Sequence, residues 1–297
     1  QMYSCYNYSQ GSLVYFMYNI DSEMVYFSTD LENWAITNLD QYNWSFMYNS
    51  FFNKYFCLSY DYGTEKDWLR SSSDGINWTD YSNSVDLTLN PHTISPMKIT
   101  GADAGYLQLY CYTGKSAHTT DLSSWTLDWQ VDLQAGDSII DMTVYYGDIY
   151  AGGQIENGPA VVYFSKFPND SWERKVLYLG ENSISGFIKD SRGSFVIKKT
   201  LYLCGEYSFD YTQVELPFSP SHLFNVSSRV YFTTDPDDYS ATAIYFSWHD
   251  FSNFQKKISI PYFEVENVFF EGWDENGFLL RGGNKFYRYL PEGGQLI

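Results

Sequence analysis

An all-β fold built by radial repetition of four-stranded antiparallel blades, a β-propeller, follows from three observations. A corner of the form [Ser/Thr]-x-Asp-x-x-x-Trp occurs three times, as Ser28/Asp30/Trp34, Ser72/Asp74/Trp78 and Thr119/Asp121/Trp125, at spacings of 44 and 47 residues. The runs on either side of each corner are rich in aromatic and β-branched residues, and no long stretch carries a clean 3.6-residue period. That spacing divides the 297 residues into seven units of about 42, the size of a four-stranded blade. Six blades is the alternative count. A β-sandwich shares the short strands but does not predict a periodic acidic corner.

Within the corner, the Asp side chain is expected to accept backbone N–H groups one and two residues on, as an Asx-turn. The Ser or Thr two places earlier does the same more weakly. Gly75 supplies positive φ, and the Trp packs its ring under the hairpin with its indole N–H seeking an acceptor. The pattern resembles the Asp-box (BNR-type) repeat, one residue shorter than the Ser-x-Asp-x-Gly-x-Thr-Trp form. The resemblance implies a structural corner between the third and fourth strands of a propeller blade, on its rim and without a catalytic part.

Taken in order, the first unit (approximately 1–40) reads as strands Met2–Tyr8, Ser12–Asn19, Met24–Ser28 and Trp34–Leu39. The second (41–86) reads Asn43–Ser50, Lys54–Tyr60, Trp68–Ser72 and Trp78–Ser82, and the third (87–134) Thr93–Thr100, Gly105–Tyr112, Ser116–Thr119 and Trp125–Val131. A fourth (135–180) has Ser138–Tyr145, Asp148–Gln154, Val161–Ser165 and Trp172–Leu179, with a looser corner ending at Trp172. The fifth (181–217) is degenerate: Ser183–Lys189, Ser194–Lys199, Leu201–Ser208 and Tyr211–Leu216, with Tyr211 in the Trp slot. The sixth (218–262) restores the spacing around Asp250 and Phe254, with strands His222–Ser227, Val230–Thr234, Thr242–Trp248 and Phe254–Ile260. The seventh (263–297) has Asn267–Trp273, Phe278–Arg281, Lys285–Tyr289 and a stub near Gln295–Ile297. One propeller domain therefore takes up the whole chain.

Composition narrows the function. A net charge of −18 with only six Arg argues against a phosphate-tracking groove, so no nucleic acid is expected as a partner. No apolar run reaches membrane-spanning length, so no membrane insertion is expected. Such acidity suits the solubility of a Tyr-rich surface. Cys5, Cys57, Cys111 and Cys204 lie far apart on predicted strands. They read as buried free thiols, without the spacing of a zinc site or a disulfide framework. His92, His118, His222 and His249 are scattered and read as loop or rim residues. No cofactor and no metal site is expected. Asp235-Pro236-Asp237-Asp238-Tyr239 lacks the Gly and the closing Glu of a calcium loop and reads as an acidic turn.

Rigid blades position loops, and ligand contacts belong there. With the acidic corners on one face, the opposite face carries the second-to-third-strand and inter-blade loops. Asp61, Tyr62 and Trp68 there combine aromatic platforms with a carboxylate, as sugar recognition requires; Tyr42, Asp21 and Tyr239 on neighbouring loops complete the candidate contacts. The Asp-box resemblance extends to sialidases, which use an Arg triad, a Tyr–Glu nucleophile pair and an Asp acid. No Arg-Ile-Pro motif is present, and Arg70 sits beside its own corner, so no catalytic residue carries over. Asp141, on a predicted innermost strand, is the lone candidate acid for a different glycosidase.

The surplus of Tyr, Trp, Asn and Ser is that of a rigid contact surface. It also resembles propeller modules of phage tails and receptor-binding proteins. The expected function is a non-enzymatic structural or adhesion module in a virion or at a cell surface. Its partners would be a cell-surface glycan and other subunits of the virion or surface assembly. A propeller glycoside hydrolase with paired carboxylates and a secreted lectin-like surface protein are the alternatives.

Overall fold

The computed structural model describes residues 2–7, 9–19, 22–39, 43–61, 66–80, 96–101, 105–145, 147–166, 171–177, 194–197, 199–204, 210–218, 220–226, 229–234, 242–248, 255–260, 268–274, 277–282 and 285–289. All regular structure among them is β, and the chain divides into two compact units, Gln1–Leu133 and Gln134–Ile297.

The N-terminal unit holds three antiparallel meanders. The first is β1 (Met2–Asn7), β2 (Ser12–Asn19), β3 (Met24–Ser28) and β4 (Ala35–Ile36). The second is β5 (Asn43–Asn49), β6 (Lys54–Asp61), β7 (Lys66–Ser72) and β8 (Thr79–Asp80). The third is β9 (Pro96–Thr100), β10 (Leu107–Cys111), β11 (Lys115–Thr119) and β12 (Thr126–Gln130). Side chains alternate across a strand, and β6 uses both faces. Tyr55 and Cys57 point into a core with Phe16 and Phe27 of the first sheet, whereas Phe56 and Leu58 pack with Leu107 and Leu109 of the third. Phe16, fully buried, stacks on Phe46 at 4.4 Å and meets Trp78 edge-on at 5.7 Å. Truncating such a ring to Ala costs about 3–5 kcal/mol.

The fourth strand β4 pairs over only two residues, shorter than the run Trp34–Leu39 that the pattern suggested; β8 pairs at Ser71 and Arg70, and the end of the suggested run Trp78–Ser82 lies outside the described residues. Side chains take over where the ladder stops. Thr37 Oγ1 donates to the Val25 carbonyl at 2.9 Å, and Asn38 grips the backbone of the next corner. Its Oδ1 accepts the Trp78 N–H at 2.7 Å and its Nδ2 donates to the Trp78 carbonyl at 3.0 Å. This clip fixes the first sheet to the second through one amide.

The C-terminal unit continues the pattern with β13 (Asp137–Tyr145), β14 (Asp148–Ile155), β15 (Ala160–Ser165) and β16 (Glu173–Leu177). Then come β17 (Phe195–Ile197), β18 (Thr200–Cys204) and β19 (Tyr211–Glu215). A four-stranded sheet follows, β20 (Pro220–Val226), β21 (Arg229–Thr234), β22 (Thr242–Trp248) and β23 (Gln255–Ile260), and then β24 (Val268–Asp274), β25 (Gly277–Gly282) and β26 (Lys285–Tyr289). The Ser183–Lys189 strand of the fifth unit and the Gln295–Ile297 stub lie outside the described residues. β15 is buried along its whole length between Tyr150, Phe195 and Tyr202. Tyr211 opens β19 with its ring 5.1 Å from Phe195.

Asp137 opens β13 with its side chain fully buried and gripped from two sides. Arg174 donates from Nε to Oδ2 at 2.7 Å and from an Nη to Oδ1 at 2.9 Å, and Tyr163 donates its hydroxyl to Oδ2. Burial alone would raise this carboxyl, but the Arg174 and Tyr163 hydrogen bonds outweigh it and hold it below its ordinary value. None of the four cysteines is in a disulfide; Cys5, Cys57 and Cys111 are buried, while Cys204 is only partly so. Burial pushes the Cys5 thiol up to about 12.

Candidate functional site

The three acidic corners fold alike. Ser28 Oγ accepts the Leu31 N–H at 2.9 Å, Ser72 Oγ the Gly75 N–H at 2.9 Å, and Thr119 Oγ1 the Leu122 N–H at 2.9 Å. The carboxylates reach further than the sequence reading placed them: each accepts N–H groups two and three residues on, not one and two. Asp30 takes Glu32 and Asn33, Asp74 takes Ile76 and Asn77, and Asp121 takes Ser123 and Ser124, all at 2.8–2.9 Å. The residue after each carboxylate takes a left-handed position, Leu31 at φ 68°, Gly75 at 78° and Leu122 at 61°. Only Gly meets that conformation without Cβ strain. It also needs the room there, because a Cβ on Gly75 would stand 2.6 Å from the Phe27 ring.

These bonds hold the carboxylates ionised. The Asn33 N–H and side-chain amide lower Asp30 to about 2. Burial raises Asp74, but its Asn77 and Ile76 bonds prevail and lower it; the Ser124 and Ser123 N–H groups lower Asp121. Trp34 and Trp78 donate their indole N–H to the carbonyl three residues back, at 3.0 and 2.9 Å. In the third corner the buried Trp125 N–H has no acceptor among the described residues. Every carboxylate here is engaged in shaping a turn.

A cleft of about 250 Å³ opens between the first two of these corners, lined at its floor by Tyr48, Tyr55 and Phe27. Its walls are set by a second, smaller turn. Asn7, at the end of β1, accepts through Oδ1 from the N–H groups of Ser9 and Gln10 and from Ser9 Oγ. Two backbone donors on Oδ1 fix which end of the amide is oxygen. Nδ2 therefore faces Tyr55 and donates to its hydroxyl at 2.5 Å. The Tyr55 oxygen is an acceptor in that bond, so its own proton is directed elsewhere; among the described residues nothing receives it. Tyr48 lies beside it, rings 5.0 Å apart, with its hydroxyl 2.5 Å from Asn53 Oδ1 and 2.8 Å from Ser9 Oγ. Both tyrosines are buried, 2 % and 3 % exposed. Burial, outweighing the Asn7 bond, pushes Tyr55 up to about 12, so it stays a neutral donor. Thr29, Ser73, Gln10 and Asp74 complete the rim.

The contacts expected on the opposite face cannot be placed with it. Tyr62, Tyr42, Asp21 and Tyr239 lie outside the described residues, as do the side chains of Asp61, at the end of β6, and Trp68, on β7. Asp250 and Phe254 lie outside them too, whereas Trp172 is partly buried just before β16. Asp141 lies on β13, the first strand of its sheet, where its Oδ1 accepts the N–H of Met142 at 2.8 Å beside a β-bulge. Arg70 pairs with Asp80 at 2.8 Å across β7 and β8. Of the histidines, His118 is neither loop nor rim: it sits on β11 with Nδ1 2.5 Å from Asp128 Oδ1, in a polar row with Gln108 and Ser116. Among the described residues no group of His, Cys, Asp and Glu could hold a metal ion, and no helix is long and apolar enough to cross a membrane.

Sequence reasoning missed the cleft. A signal for it exists: Tyr6-Asn7 and Tyr48-Asn49 recur 42 residues apart at the ends of β1 and β5. Asn49 repeats the turn, accepting the Phe52 N–H at 3.0 Å, and donates to the Gly101 and Tyr106 carbonyls of the third sheet.

Solved structures share this architecture. YCF48 from Cyanidioschyzon merolae superposes with a TM-score of 0.63 at 10 % identity, over 95 % of this chain and 92 % of that one. YCF48 bound to D1 peptide matches with 0.63 at 12 %, over 94 % and 88 %. Virginiamycin B lyase from Staphylococcus aureus follows with 0.59 at 13 %, over 91 % and 88 %. The β-propeller domain of the Trilobed protease from Pyrococcus furiosus gives 0.57 at 9 %, over 96 % and 93 %. At these identities the likeness is one of fold, that of a β-propeller. No family model matches the chain, and no curated protein matches it in sequence.

Proposed function

We propose that the chain is a single seven-bladed propeller that binds and does not catalyse. It recognises a cell-surface glycan or a partner protein, as an adhesion or structural module of a phage tail or similar extracellular assembly. The observation that carries the binding half is the cleft, in which two buried tyrosines present hydroxyls between walls pinned by Asn7 and by an acidic corner on either side. A recess held by its own hydrogen bonds is preorganised, so a ligand does not bear the cost of ordering its loops. Seven sheets in chain order among the described residues support the blade count. YCF48, alike in fold, has been seen with a peptide bound, and a rigid Tyr-rich face suits a polypeptide as well as a sugar. The strongly acidic, aromatic-rich composition fits a soluble module working outside the cell.

A glycan array run beside affinity capture on host-surface extract tests the reading, with each retained glycan then assayed for turnover. Retention without product release is expected. Hydrolysis of a bound sugar overturns the non-catalytic half, and a blank array with no captured partner overturns the binding half.

A further inference from the structure

The donors and acceptors left over in the cleft define what can fill it. Tyr55, 3 % exposed, brings an O–H donor with no acceptor among the described residues, and its oxygen already takes the Asn7 amide. Asp74 brings a carboxylate whose oxygens accept from Ser72, Ile76 and Asn77. An Asp oxygen has two lone pairs, so Oδ2, with one donor, has room for another. Gln10, Thr29 and Ser73 add an amide and two hydroxyls on the exposed rim, and Phe27 an apolar wall. Among the described residues no Lys or Arg lines the cleft.

Ligand classes separate on this arrangement. An anionic group meets an ionised carboxylate and no cation. An ammonium or guanidinium satisfies Asp74 but cannot accept from Tyr55, because it has no acceptor atom. An alcohol does both at once, accepting from the phenol and donating to the carboxylate. The volume of about 250 Å³ lies below the roughly 300–1,000 Å³ of pockets that take drug-sized molecules, which limits the occupant to one ring.

We infer that the cleft between the first two sheets is a subsite for a single neutral pyranose unit, with the Tyr55 hydroxyl and the Asp74 carboxylate spanning one or two of its hydroxyls. This rests on the binding-module reading and narrows it to one ligand class and one place. The opposite face, where the sequence pointed, is not needed for it.

Saturation-transfer NMR and titration on the full chain test the assignment. The probes are the methyl glycosides of glucose, galactose, mannose and N-acetylglucosamine, with N-acetylneuraminic acid and methylguanidinium as charged controls. At least one neutral glycoside is expected to bind in the millimolar range and both controls more weakly. Tyr55→Phe, which keeps the ring, is expected to weaken the neutral ligand at least tenfold; a site built to hydrogen-bond a hydroxyl discriminates strongly once its polar partner is removed. Should that variant unfold, Gln10→Ala on the exposed rim reads the same site and is expected to weaken binding several-fold. No saturable neutral glycoside, tighter binding of either control, or wild-type affinity in the folded variants would each overturn the inference. Retention on the glycan array with unchanged affinity in Tyr55→Phe removes the cleft but leaves the module reading standing. A blank array with a captured protein partner removes the sugar and leaves the module. A blank in both removes both.

Discussion

Ser72→Ala should destabilise the protein more than Asp74→Ala, although the carboxylate is the signature of the corner. Ser72 is 3 % exposed, and its Oγ is the acceptor of the buried Gly75 N–H at 2.9 Å. Removing it strands that donor away from water, which costs about 1–3 kcal/mol. The N–H groups that Asp74 accepts, from Ile76 and Asn77, are on the exposed side of the turn, so water replaces the lost oxygen. The closest measured analogue is a helix N-cap, where Asp→Ala costs typically about 1 kcal/mol. We therefore expect about 2 kcal/mol for Ser72→Ala and about 1 kcal/mol for Asp74→Ala. Ser72→Thr should be close to neutral, because Thr119 fills that role in the third corner with the same 2.9 Å bond. Urea unfolding at pH 7, followed by the fluorescence of the corner tryptophans, measures all three. The reasoning fails if Asp74→Ala proves the costlier change, or if Ser72→Thr is as damaging as Ser72→Ala.

The same denaturation assay checks four further outcomes. Gly75→Ala combines a left-handed φ with a Cβ 2.6 Å from Phe27 and should cost about 2–4 kcal/mol. Gly136→Ala, at φ 89° with its nearest atom at 3.9 Å, should cost only the backbone part, about 1–2 kcal/mol. Trp78→Phe should cost about 1 kcal/mol more than Trp125→Phe, since only the first loses an indole hydrogen bond. Arg174→Ala leaves the buried Asp137 carboxylate without its cation and should cost about 3–5 kcal/mol, with Arg174→Lys unable to restore the two-pronged contact. Acid should weaken the fold in a defined window. Asp30, Asp74, Asp121 and Asp137 all sit below their ordinary values, so the stability they add is complete above about pH 4 and is lost as pH falls through the folded values, toward about 2 for Asp30. Stability that stays flat between pH 4 and 2 would contradict this.

Much of this fold could be read from the chain because each strand carries its own alternation and each corner its own polar lock. Ser12–Asn19, Met24–Ser28 and Thr242–Trp248 were placed to the residue by pattern alone. The pattern overran at β4, where Thr37 and Asn38 look like strand residues yet turn their side chains to the Val25 carbonyl and the Trp78 backbone. Those contacts join residues 12 and 40 positions apart, beyond what local propensity records. The cleft was missed for the same reason, because the repeat of Tyr6-Asn7 at Tyr48-Asn49 does not by itself say which partners the two Asn find. Asn7, Tyr48 and Tyr55 are unremarkable separately, and only the stacking of one sheet on the next brings an amide from β1 to a phenol of β6.

That stacking also gives two strand-end amides different partners. Besides the Asn38 clip, two amides that end first strands of sheets reach the next sheet among the described residues, Asn7 to the second sheet and Asn49 to the third. Asn49 finds two backbone carbonyls, acceptors with no proton of their own to offer, and that clip is closed and purely structural. Asn7 finds a hydroxyl, which accepts the amide and still carries a proton. The identical geometric device therefore leaves nothing over in one place and one donor over in the other. Asn49→Ala should then lower stability without touching glycoside affinity. Asn7→Ala should lower both, because it frees the Tyr55 hydroxyl to turn away from the ligand. Equal effects of the two substitutions on affinity, measured by titration with the best methyl glycoside, would show that the leftover proton is not what the cleft uses.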